Sequence, residues 1–93
     1  MMEEEVEILV EVAVLGEQMD HFRRSAVGKH LLKRAEEDYN AGIEELKRVP
    51  PADTEAVRTA QNKVRVAESV RDWIEESIAS GLRATMILED REE

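Results

Sequence analysis

Val49-Pro50-Pro51-Ala52-Asp53-Thr54 divides two long segments that carry matched apolar patterns. A proline disfavours the α region for the residue before it and supplies no backbone donor, so Pro50-Pro51 must end a helix. Asp53 is then placed to cap the next one, with Glu55 in the first turn favoured by the helix dipole. The stretch predicts that the flanking segments fold back on each other as an antiparallel hairpin.

The segment before the turn reads as a helix over about 26–49, with Ser25 as its N-cap. Its stripe is Leu32, Ala35, Tyr39, Gly42, Leu46 and Val49, at alternating gaps of three and four. That spacing is a heptad-like seam. The segment after the turn reads as a helix over about 54–80, with Gly81 as its C-terminal stop. Its stripe is Val57, Ala60, Val64, Ala67, Arg71, Ile74 and Ile78. Residues 82–88 suit a further short helical stretch, and an acidic tail from about 89 should fray.

Folding at Pro51 sets Leu46 against Val57, Gly42 against Ala60, Tyr39 against Val64, Ala35 against Ala67 and Leu32 against Arg71. Large layers alternate with small ones, so the hairpin should be tight. Gly42 costs about 1 kcal/mol relative to Ala inside a helix, and close approach of the partner helix is a physical reason to keep it. Arg71 interrupts its stripe; its stem should lie along the seam and its head reach water, Glu68 or Glu75.

The first segment, about 3–22, admits two periods. Val6, Ile8, Val10, Val12 and Val14 alternate with acids in a strand-like pattern. Read as a helix, Ile8, Val12, Leu15, Met19 and Phe22 form one stripe, and Val6, Leu9, Ala13 and Gly16 an adjacent one. The helical reading covers more residues, and a lone strand would have no partner. The expected fold is therefore all-α: a long hairpin with an N-terminal helix packed on it, in one domain spanning 1–93.

Composition supports this. The chain of 93 residues is 38% charged, with Phe22, Tyr39 and Trp73 as its only aromatics, a helical composition. A net charge of −9 argues against direct nucleic-acid binding and against anionic membrane surfaces. The absence of cysteine excludes thiol chemistry and fits a reducing compartment. The acidic Glu3-Glu4-Glu5 start is unlike a secretory signal, and the longest apolar run, 12–15, is too short to span a bilayer. The reading is a cytoplasmic protein.

Chemistry finds no foothold. His21 and His30 are not at ligand spacing, and neither sits in a Glu-x-x-His pattern. The acid pairs Glu36-Glu37, Glu44-Glu45 and Glu75-Glu76 have basic neighbours at helical spacing: Lys33 with Glu37, Glu44 with Arg48, Arg71 with Glu75. They read as a solvated, ion-paired face. No nucleophile is flanked by a base and an orienting group. The expectation is a non-enzymatic protein with no cofactor and no metal. The one local excess of positive charge is Arg23, Arg24, Lys29, Lys33 and Arg34, a candidate contact patch that lacks the aromatic interleaving of single-strand binders.

Ser25-Ala26-Val27-Gly28-Lys29, the Pro/Asp turn and Trp73-Ile74-Glu75-Glu76-Ser77-Ile78-Ala79-Ser80-Gly81 together resemble small helical proteins encoded by phages and prophages, many without assigned function. The resemblance spans most of residues 25–81. It implies a viral or mobile-element protein that acts by protein–protein contact, in the host cytoplasm or the virion, and it transfers no functional residue.

A tight two-helix hairpin leaves much apolar surface over, here Val27, Leu31, Ile43, Val66, Val70 and Trp73. The candidate interface is Ile8, Val12, Leu15, Met19 and Phe22 with Val66, Val70 and Trp73, the last either under the first helix or in an oligomer contact. The expectation is a homo-oligomer, most simply a dimer, that also meets another protein. It serves in assembly; the alternative is a small acidic inhibitor or regulator, such as a nucleic-acid mimic, that binds a host protein.

Overall fold

A computed structural model describes residues 2–92, which form three α-helices: α1 (Met2–Arg24), α2 (Ala26–Arg48) and α3 (Thr54–Glu92). There is no strand among the described residues. The fold is all-α, with the N-terminal helix packed on the other two. Glu93, the last residue of the expected tail, lies outside the described residues.

The Pro50-Pro51 turn works as its residues dictate. Val49 takes an extended conformation (φ −71°, ψ 130°) and its N–H still reaches Glu45 O. Asp53 N donates to Pro50 O at 2.9 Å, and Asp53 Oδ1 accepts from Ala56 N at 3.1 Å. One of the free donors of the first turn of α3 is thereby satisfied. The α2–α3 seam follows the expected register. Gly42 lies against Ala60 O and the Val64 side chain. Ala35, Gly42, Ala60 and Ala67 are buried, while Tyr39, Leu46, Val57 and Val64 are half-buried at its edges. Lys63 and Glu45 close the outer side at 3.2 Å.

α1 and α2 are separated by one residue. Ser25 is extended (φ −70°, ψ 161°), and its Oγ accepts from Gly28 N at 3.0 Å and donates to Phe22 O at 2.6 Å. The hydroxyl thus bridges the end of one helix and the start of the next. Gly28 permits the bend: a Cβ there would lie 1.8 Å from Phe22 O.

The largest departure from expectation concerns Gly81. It is not a stop. α3 continues through it to Glu92, including the stretch from 89 expected to fray. Gly81 is buried against Gly16, where an added Cβ would sit 2.7 Å from the Gly16 Cα. No glycine in the chain has positive φ, so close approach, not a left-handed cap, explains it. α1 therefore packs chiefly against the second half of α3 and less extensively against α2. It continues the α2 arm past the Ser25 bend and runs antiparallel along the second half of α3. Arg91 and Glu5, 3.1 Å apart, close the far end. At 1.5 Å per residue, α3 is about 58 Å long, which matches the 60 Å long axis of the molecule.

Candidate functional site

The molecule is a slab of 60 × 31 × 16 Å. Among the described residues the buried apolar ones are Ala35, Ala60, Ala67, Ile74 and Ala84, of which Ile74 alone is large. The radius of gyration is 18.6 Å, whereas a compact chain of this length gives about 12 Å. The accessible surface is 7444 Å²; a compact monomer of 10.6 kDa exposes about 5,500 Å². About 2,000 Å² is in excess.

Much of that surface is apolar and falls on the two broad faces of the slab. On the first face, α1 presents Ile8 and Leu15, which are 59% and 52% exposed, beside Trp73 of α3 at 68%. Val12, Leu15, Trp73, Ser77 and Ser80 line one concavity there, of about 290 Å³. Further along, Leu31 of α2 with Val66 and Val70 of α3 lines a second, separated from the opposite face by Ala35 and Ala67. The expected interface residues Ile8, Val12, Leu15, Met19, Phe22, Val66, Val70 and Trp73 all belong to stripes on this face. Met19 and Phe22 are half-buried near the bend. Trp73 is not covered by α1; it stands beside Val12 and Leu15 with most of its surface exposed.

On the second face, Ala13 and Gly16 of α1 meet Ile78, Leu82 and Thr85 of α3 across a shallow cleft. Val10, Val14, Leu82 and Met86 are exposed on the flanking positions. Both faces thus carry large apolar side chains that this chain does not cover.

Charged groups border the apolar residues on both faces. Arg23 and Arg24 both pair with Asp20, the latter at 3.2 Å, and Arg34 pairs with Asp38 at 3.4 Å. Three members of the basic patch are therefore engaged within their own helices, and Lys29 and Lys33 remain exposed. The pairs expected between Lys33 and Glu37, Glu44 and Arg48, and Arg71 and Glu75 are not formed. Lys47 takes Glu44 at three residues' spacing, and exposed Arg71 lies 3.9 Å from Asp72. Long, solvated side chains choose among several acids at little cost, since exposed pairs contribute only about 0.2–1 kcal/mol each. Arg71 does share a groove with Leu32, Glu68 and Glu75, as its place on the stripe implies.

His21 and His30 are both exposed. Among the described residues no three of His, Cys, Asp or Glu come together as a metal-holding group. No described helix is long and apolar enough to cross a membrane.

Sequence reasoning missed Gly16 as a packing residue of α3. The signal was present: Ala13 and Gly16 on one helix, Ser77, Gly81 and Ala84 on the other, are small residues at helical spacing. The logic applied to Gly42 and Ala60 covers them equally. No protein-family model, curated protein or solved structure matches this chain.

Proposed function

We propose that this chain is a non-enzymatic assembly protein that associates with a second copy of itself through one apolar face and with another protein through the other. The observation that carries the reading is the exposure of Ile8, Leu15, Val66, Trp73, Leu82 and Met86 on a slab whose core holds one large side chain. Contiguous exposed apolar surface marks association sites. The excess of about 2,000 Å² per chain exceeds the roughly 800 Å² that a standard interface takes from each partner, and falls in the range of obligate homodimers. The resemblance to phage and prophage proteins supports a role in a particle or its assembly, in the host cytoplasm or the virion.

Sedimentation equilibrium tests self-association. The expected species at micromolar concentration has twice the 10.6 kDa chain mass; a monomer at tens of micromolar overturns the proposal. The inhibitor reading is favoured by one feature. With a net charge of −9, the surface carries an excess of acid. Co-purification with a single basic host enzyme, and absence from purified particles, would decide for it.

A further inference from the structure

The uninterrupted α3 carries a stripe that only its full length makes visible: Val66, Val70, Trp73, Ser77, Ser80, Ala84 and Ile87. The gaps are four, three, four, three, four, three, so the reversed stripe matches itself about Ser77 to within one residue. Val66, Trp73 and Ile87 are exposed, Val70, Ser77 and Ser80 are half-buried, and Ala84 is buried within its own chain and forms the floor of the stripe. We infer that a second copy of this chain docks on this stripe with its α3 antiparallel, about a twofold axis through Ser77, each Trp73 seated over Ser80 of the partner subunit. The inference rests on the self-association proposed above and specifies its face, direction and register.

Reversing one stripe on the other pairs Val66 with Ile87, Trp73 with Ser80 and Ser77 with its own copy, and sets Val70 at the level of Ala84, which is buried within its own chain. Every layer except the central one then occurs twice, as a twofold isologous contact demands. The bulky Trp73 meets a small residue, and the concavity lined by Val12, Leu15, Ser77 and Ser80 provides room beside it. Parallel pairing would instead stack Trp73 on Trp73 and leave the serines facing across a gap. Small opposite large is what lets helices close to interior density.

The remainder of the face agrees. A twofold axis lying in the interface and perpendicular to α3 lays α1 of one copy over α2 of the other. Leu15, exposed on α1, then faces Leu31, exposed on α2. Any cross-section of the dimer contains four helices, α3 twice and an α1 or α2 on each side. A chain that forms only two packed helices at any point along its length thereby acquires the shared interior of a four-helix bundle. The area needed is that of an obligate dimer.

The chain lacks cysteine, so single introduced cysteines report register without background. Ser77→Cys should form an intermolecular disulfide on mild oxidation. Val66→Cys should not link to itself, because antiparallel copies hold those positions about 33 Å apart, but an equimolar mixture with Ile87→Cys should yield the mixed dimer. Trp73→Ala should leave monomer helicity unchanged, since the ring is 68% exposed, and weaken dimerisation at least a hundredfold. Trp73 is the only tryptophan, so its emission should move to the red on dilution of the wild type. A wild-type monomer by light scattering overturns both this inference and the self-association. A dimer in which Ser77→Cys stays unlinked, with circular dichroism reporting a folded chain, overturns the face alone. Self-linking of Val66→Cys overturns the direction.

Discussion

Replacing Gly81 by alanine separates two opposite readings of one residue by the sign of the effect. An ordinary glycine inside a helix is a defect, and alanine there gains about 1 kcal/mol. Gly81 is held differently. A Cβ built on it falls 2.7 Å from the Gly16 Cα and 3.2 Å from Val12 O, both backbone atoms of α1. Carbon atoms in contact sit about 3.5–4.0 Å apart, so α1 must retreat by about 1 Å. Neither obstacle is a side chain that can rotate away. Overpacking of this kind costs about 1–3 kcal/mol, and the retreat loosens the contact of α1 with α3 along its length. Set against the propensity gain, the net expectation is a loss of about 1 kcal/mol. For a domain of this size that lowers Tm by roughly 4–8 °C. Urea unfolding followed by circular dichroism at 222 nm reads the change directly, with protein concentration held constant because self-association would otherwise shift the midpoint. Gly16→Ala should behave alike. The double variant should depart from additivity by at least about 0.5 kcal/mol, as groups in contact do. A Gly81→Ala chain more stable than wild type, or strict additivity with Gly16→Ala, would refute the close-contact argument.

Gly42 meets mainly a side chain, Val64 Cγ2 at 2.7 Å, with Ala60 O at an ordinary 3.4 Å. Gly42→Ala should therefore stay within about 1 kcal/mol of wild type, whereas Gly42→Leu should cost about 2 kcal/mol or more in urea unfolding, far more than Glu45→Ala. A Cβ at position 28 would overlap Phe22 O, so Gly28→Ala should force the α1–α2 bend open; small-angle scattering should show a radius of gyration changed from that of the wild type, and an unchanged profile would deny Gly28 this role. Ser25→Ala and Asp53→Ala each remove a side-chain acceptor from a helix start and should each cost about 1 kcal/mol by thermal unfolding, with Asn at either position recovering most of it.

Local chemistry determined much of this protein from the chain alone. Two prolines and an aspartate can only end one helix and begin another, and Ser25 before a periodic run can cap it, so the breaks at 25 and 49–53 were legible. The alternation of three and four along α2 and α3 set the seam, because the period fixes which residues share a face. The exposure of Ile8, Leu15 and Trp73 was legible for the same reason: they lie on stripes too apolar for the partners available within 93 residues.

Tertiary structure decided what depends on a second element. Gly81 ends a helix when its neighbour is water and continues one when its neighbour is Gly16; no window of sequence around residue 81 distinguishes the two. The length of α3 follows from that contact, and so does the course of α1, which packs chiefly along the second half of α3. The choice of partner for each surface charge was likewise open, because the competing pairs differ by less than the energy of any one. Local rules settle where helices break, and which helix lies against which glycine is a property of the folded pair.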